Sequence, residues 1–241
     1  AKMFRIWGVR RDVRWLMAFG LAGLLLCQYT FLAAIKYSNS ATAAVLQSLN
    51  VVMMAIVMAV WNKKPMGRGQ VLAVLLAIAG TYLIASKGDF HRMDFSAAGL
   101  LFGLLAAAGV VSYTLLSRPI IASWGNLTIT GWGMTIGGVV MLLFFRPWHI
   151  QGVQFSGKLI LLMTCVIILG TVLSFSLFQS GCSIVGSLVG SVLSSVEPIG
   201  SVIISVLFLN TTFSWLDLLG FFLILVTIPI MALGKAHEPV G

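Results

Sequence analysis

Between Leu159 and Leu216 the chain carries a single Asp, Glu, Lys, Arg or His side chain, the glutamate of Ser-Ser-Val-Glu-Pro-Ile-Gly-Ser-Val, Glu197. A carboxylate inside a long apolar tract is costly unless something satisfies it, so its presence asks for a reason. Drawn on a helical wheel at about 100° per residue, Ser187, Gly190, Ser191, Ser194, Glu197, Pro198, Ser201 and Ser205 share one side. Leu188, Val189, Val192, Leu193, Val196, Ile199 and Ile203 share the other. Two chemistries fit such a face. Small and hydroxylated residues let helices pack closely and bond across their contact, Gly186-xxx-Gly190 and Gly133-xxx-Gly137 included, with Pro198 kinking the helix and Glu197 held by a neighbour. Alternatively, Glu197 lines a central cavity, where a carboxyl group can bind substrate or take up and release a proton. Both readings stand on the sequence alone.

An apolar tract further upstream offers Gln47 and Asn50 in mid-span. Gln28, Tyr29, Tyr113, Trp132 and Gln179 are further polar or aromatic candidates within spans or at their ends, of which Tyr29, Tyr113 and Trp132 join Glu197, Asn50, Gln47 and Ser194 as expected pathway residues. His91, His149 and His237 fall in loops, so no histidine relay is expected. Cys27, Cys165 and Cys182 sit in apolar tracts and read as small packing residues, neither a disulfide framework nor a metal site. No cofactor is expected.

The elements that position these residues follow from composition. Of 241 residues, 59% are hydrophobic and 9% charged, with a mean hydropathy of +1.05; a soluble domain carries about 25% charged residues. Uncharged tracts of about 20 residues mark an all-α polytopic membrane protein. The expected spans are Trp15–Ile35, Ala41–Trp61, Gly69–Ser86, Phe95–Ser117, Asn126–Phe145, Leu159–Ser180, Ile184–Leu209 and Trp215–Gly234. The sixth and seventh divide at Gln179–Ser183, where small and polar residues cluster. Ser214 and Asp217 form a capping box that opens the last helix.

A net charge of +9 would suggest nucleic acid in a soluble protein. Here Lys and Arg sit between apolar tracts, ten on one face and five on the other, which places both termini in the cytoplasm. Nucleic acid is therefore not an expected partner.

Shifted by 147 residues, the first three spans fall on the last three without a gap. Gly23, Leu26, Ser40, Val45, Ser48 and Ile56 meet Gly170, Leu173, Ser187, Val192, Ser195 and Ile203, and Asn50 meets Glu197. Five spans separate equivalent points, and five is odd, so the copies lie upside down relative to each other. Inverted repeats are an architecture of secondary transporters, with substrate near the midplane. Residues 1–90 then form a partial first repeat of three spans, and 91–241 a complete second repeat of five. Two further helices are expected before residue 1, giving a ten-helix fold of which eight spans are present.

The stretches AIKYSNSATAAVLQSLN (34–50), GWGMTIGG (131–138), RPW (146–148) and SSVEPIGSVIISVLFL (194–209) resemble the EamA-type branch of the drug/metabolite transporter superfamily. That resemblance implies ten helices, cytoplasmic termini, a bacterial inner membrane, and export or exchange of small metabolites through a cavity between the copies.

The leading functional expectation is a secondary transporter, an exporter of small neutral, zwitterionic or cationic metabolites or drugs by alternating access. Protons are the candidate coupling ion and a homodimer the candidate assembly. No Lys or Arg lies inside an expected span, which disfavours phosphorylated substrates. An intramembrane enzyme would want paired Asp, Ser with His, or a metal-ligand cluster in the spans, and none is read there. An oligomeric channel, or a membrane fragment that does not itself transport, is the alternative.

Overall fold

The computed structural model of the protein describes residues 2–63, 66–86, 97–145, 156–173 and 196–236, all of it helix or short connection among the described residues. A 3₁₀ turn, Lys2–Gly8, leads into α1, Arg10–Tyr37. Then follow α2, Ser40–Trp61; α3, Arg68–Ser86; α4, Ala97–Trp124; and α5, Asn126–Phe145. Helix α6, Gly157–Cys165, continues in π-helical turns over Val166–Leu173. Helices α7, Val196–Leu209, and α8, Trp215–Ala236, complete the described chain. Among the described residues, α1, α2, α4 and the stretch Asn126–Phe144 of α5 are long and apolar enough to cross a membrane, and four further apolar helices are shorter.

Two boundaries differ from the hydropathy reading. Helix α1 begins at Arg10 rather than Trp15 because arginine is a good helix former, and charge ends a hydropathy tract without ending a helix. Helix α4 does not stop at Ser117 but runs through Pro119 to Trp124. Pro119 is exposed near the end of the helix, where the bond it forfeits to the Leu115 carbonyl is a local loss. The division expected at Gln179–Ser183, the first half of the seventh span and the Gly186-xxx-Gly190 pattern lie outside the described residues.

The helix ends pair as alternating passes require. Asp12 at the start of α1 accepts a hydrogen bond from the Trp124 indole at the end of α4, 2.8 Å. At the opposite end, the hydroxyls of Ser40, opening α2, and Ser205, late in α7, lie 2.8 Å apart. Helix α4 joins two cores. One gathers Val45, Leu46, Leu49 and Val52 of α2 with Ala73, Ala77 and Ile84 of α3, Ala107 of α4, and Phe221 and Ile224 of α8. The other ties Ile6, Leu16, Phe19 and Leu24 to Ile120, Ile129 and Ile136. Helices α3 and α8 cross backbone to backbone: a Cβ added at Gly80 would lie 2.7 Å from the Gly220 carbonyl oxygen, and one at Gly220 2.8 Å from that of Gly80.

Local backbone features recur at one spacing. Helices α1 and α6 start at Arg10 and Gly157, and their π-helical stretches start at Phe19 and Val166, each pair 147 residues apart. Helices α2 and α7 are followed by the two non-glycine residues with positive φ among the described residues, Lys63 (φ 51°) and Asn210 (φ 49°), again 147 apart. Helices α3 and α8 start at Arg68 and Trp215, the same spacing once more, and bury matching positions: Ala73, Ala77 and Gly80 against Gly220, Ile224 and Thr227.

The expected capping box is present. The Ser214 amide donates to the Asp217 carboxylate at 2.9 Å, and the Asp217 amide donates to the Ser214 hydroxyl at 3.1 Å. Asp217→Ala should lower thermal stability in detergent by about 1 kcal/mol, with Asp217→Asn retaining most of it. Gly80→Ala should cost about 1–3 kcal/mol, since the added carbon meets fixed backbone. Gly138→Ala, with nothing within 4 Å of the added carbon, should leave the melting temperature unchanged or raised.

Candidate functional site in the helix core

The site is built where α1 and α4 touch. A Cβ at Gly23 would lie 2.7 Å from Cβ of Tyr113, and one at Gly109 would lie 2.7 Å from Cα of Cys27. Only glycine allows these two crossings, and together they set Cys27 and Tyr113 side by side on facing helices. From α2, the Gln47 amide nitrogen donates to the Cys27 sulfur at 3.3 Å. From α7, Glu197 stands a turn before Ser201 and Ser205, which bond to α2. Three helices thus contribute one side chain each, a thiol, an amide and a phenol, and α7 carries a carboxylate.

Glu197 is less confined than these three. It is exposed, whereas Pro198 beside it is buried. Among the described residues no hydrogen bond or ion pair holds its carboxylate. Further along α7, Ser201 and Ser205 turn to α2. The Ser201 hydroxyl donates to the Ser40 carbonyl at 3.3 Å, and the fully buried Ser205 meets the Ser40 hydroxyl. The polar face read from the sequence therefore divides: its last two serines tie α7 to α2, and Glu197, a turn earlier, is left open. Ile199 and Ile203, expected on the opposite side, are exposed.

The other expected residues fall in distinct places. Asn50 follows a break in α2 at Leu49, and its amide donates to the Gln47 carbonyl at 2.8 Å, satisfying the backbone where the helix pauses. Tyr29 stands edge-on to Phe102 of α4 with ring centres 6.4 Å apart. Trp132 on α5 packs edge-on against Phe4 and Trp7, and its indole donates to the Met3 carbonyl at 3.0 Å. Ser194 and Gln179 lie outside the described residues. Cys27 is the member that sequence reasoning passed over; its signal was the polar Gln47 in mid-helix, which needs a partner, and the glycine that faces it. Among the described residues, no group of three or more His, Cys, Asp or Glu could hold a metal ion.

The family model described as the EamA-like transporter family matches residues 2–86 and 97–233. Uncharacterized inner membrane transporter YicL of Salmonella typhimurium is 35% identical over 239 residues, which is 98% of this chain and 79% of that protein. Uncharacterized transporter YetK of Bacillus subtilis is 22% identical over 88% of this chain and 65% of its own length. Mouse solute carrier family 35 member F5 is 26% identical over 80% of this chain and 40% of its own. The chain thus spans less than two thirds of the length of the last two. With a family model covering almost all of its helices and a relative of 35% identity along its length, this membrane-spanning chain belongs to the EamA-like transporter family.

Proposed function

We propose that the protein is a secondary transporter of the bacterial inner membrane that exports small neutral, zwitterionic or cationic compounds, with Glu197 as its substrate- or proton-binding carboxylate. The observation that carries this reading is the exposed Glu197 on α7, a turn before the serines that tie α7 to α2, the helix whose Gln47 bonds to Cys27 of α1. A carboxylate suits an ammonium group through charge, and a phenol ring on the same path would add its face. The amide and thiol add hydrogen-bonding partners for a polar neighbour of that charge. A carboxylate without a fixed partner among the described residues suits the exchange of one ligand for another.

Alternating access is supported by the recurring 147-residue spacing of helix starts, π-helical stretches and left-handed caps. Inverted five-helix copies would produce that recurrence, and the antiparallel crossing of α3 and α8, where Gly69 nears Ile230 and Gly80 meets Gly220, suits mates of opposite direction. In this reading residues 1–90 belong to the first copy and 91–241 to the second. The Ser40–Ser201–Ser205 contacts close one end of the path between α2 and α7, while Glu197 remains exposed beyond them. The excess of basic residues at the other end places it, and both termini, on the cytoplasmic side. The protein then stands closed toward the outside.

Purified full-length protein in proteoliposomes enclosing a pH-sensitive dye tests the reading against a panel of amino acids and organic cations. Substrate-dependent proton movement is expected from the wild type and should be lost in Glu197→Gln with the melting temperature unchanged. Equal movement of substrate and protons by both proteins would leave Glu197 a packing residue. Saturable counterflow separates a carrier from an oligomeric channel.

The serine contacts predict a second outcome. One hydrogen bond contributes about 0.5–1.5 kcal/mol, so Ser205→Ala should shift the population toward the outward-open form about 2- to 10-fold. Labelling of Cys27 by an impermeant thiol reagent, applied from the outside to protein lacking the other two cysteines, should rise accordingly.

A further inference from the structure

The 3₁₀ turn Lys2–Gly8 and the first turns of α1 form a surface that the transport reading does not use. Arg5, Arg10, Arg11 and Arg14 are all exposed, and none makes an ion pair among the described residues. Asp12 is the one acid in the first 88 residues, and its carboxylate is engaged by the Trp124 indole. Interleaved with the arginines, Met3, Phe4, Trp7 and Val9 are 52%, 66%, 43% and 42% exposed. The segment is nonetheless fixed. Ile6 is fully buried among Leu16, Ile120 and Ile129, and the Trp132 indole grips the Met3 carbonyl while its ring meets Phe4 and Trp7.

We infer that this segment is a preformed docking site for anionic phospholipid headgroups, with its arginines on the phosphates and its aromatic and aliphatic side chains at the acyl boundary. Position, charge and composition meet here. The segment sits where α1, α4 and α5 begin or end, so in a bilayer it lies at headgroup level. Arginine forks match phosphate oxygens two at a time. Exposed Phe, Trp and Met beside Arg is the composition of an interfacial segment, and clustered basic residues next to a span attract anionic lipid by about 5-fold each. Because Ile6, Trp124 and Trp132 already hold the backbone, little ordering entropy opposes the binding. Lipid bound here would brace α1 against α4 and α5.

The test uses full-length protein in phosphatidylcholine nanodiscs doped with brominated phosphatidylglycerol or brominated phosphatidylcholine, reading quenching of tryptophan emission. In the wild type, half-maximal quenching should need about 10-fold less brominated phosphatidylglycerol than brominated phosphatidylcholine. The preference should fall several-fold in Arg10→Gln/Arg11→Gln and vanish in the fourfold Arg5, Arg10, Arg11 and Arg14 to Gln variant. The fourfold change to Lys should retain most of it, which separates loss of charge from loss of fold. Soluble glycerol phosphate at millimolar concentration should not compete. Equal quenching by both lipids in the wild type, an undiminished preference in Arg10→Gln/Arg11→Gln, or competition by free glycerol phosphate would overturn the inference.

Discussion

Lipid tails are as apolar as leucine, so membrane helices gain little from burying oil against oil and must be held by close packing. In this chain that constraint falls on glycine. Where Gly23 lies under Tyr113 and Gly109 under Cys27, α1 and α4 approach backbone to backbone; where Gly80 meets Gly220, α3 and α8 do the same. The chemistry follows from the packing. Cys27 can accept from Gln47 and lie beside Tyr113 only because no side chain stands between α1 and α4 at those two points.

A second constraint follows from the first. Polar groups carried into such tightly packed helices must find partners there, and no buried side-chain nitrogen or oxygen among the described residues lacks one. Most solutions are local. Thr30, Thr81, Thr114 and Thr164 turn their hydroxyls to the carbonyl four residues back, and Ser48 to the one three back. A few bonds cross between elements, and these mark where helices are tied: Asp12 to Trp124, Trp132 to Met3, Ser40 to Ser205. Among the described residues Glu197 makes a bond of neither kind.

Much of this was legible in the sequence for identifiable reasons. Charge is the loudest signal in an apolar chain, so Glu197 announced itself. The capping box at Ser214 and Asp217 was readable because it is local. Gly133-xxx-Gly137 was readable as a close contact, and α1 does press there, with Phe19 and Leu24 over Gly133 and Leu25 over Gly137. Gly80 and Gly220 were not, since each is a lone glycine whose meaning depends on the other, 140 residues away. Cys27 looked like packing because thiols often are packing; its partners lie on other helices. Trp132 looked like a residue in mid-span because hydropathy does not show that Phe4 and Trp7 fold back over it. The ends of α1 and α4 were misplaced where a helix outlasts its apolar tract.

The π-helical stretches carry a consequence of a different kind. A π turn is what remains when one residue is inserted into an α-helix and the helix absorbs it without breaking. Deleting that residue would rotate everything beyond it by about 100°, moving Cys27 and Thr30 off the face they now share with α4. On the repeat reading, stretches that begin at Phe19 and Val166 record one event rather than two. On that reading alone, the extra residue would belong to the ancestral unit and predate its duplication.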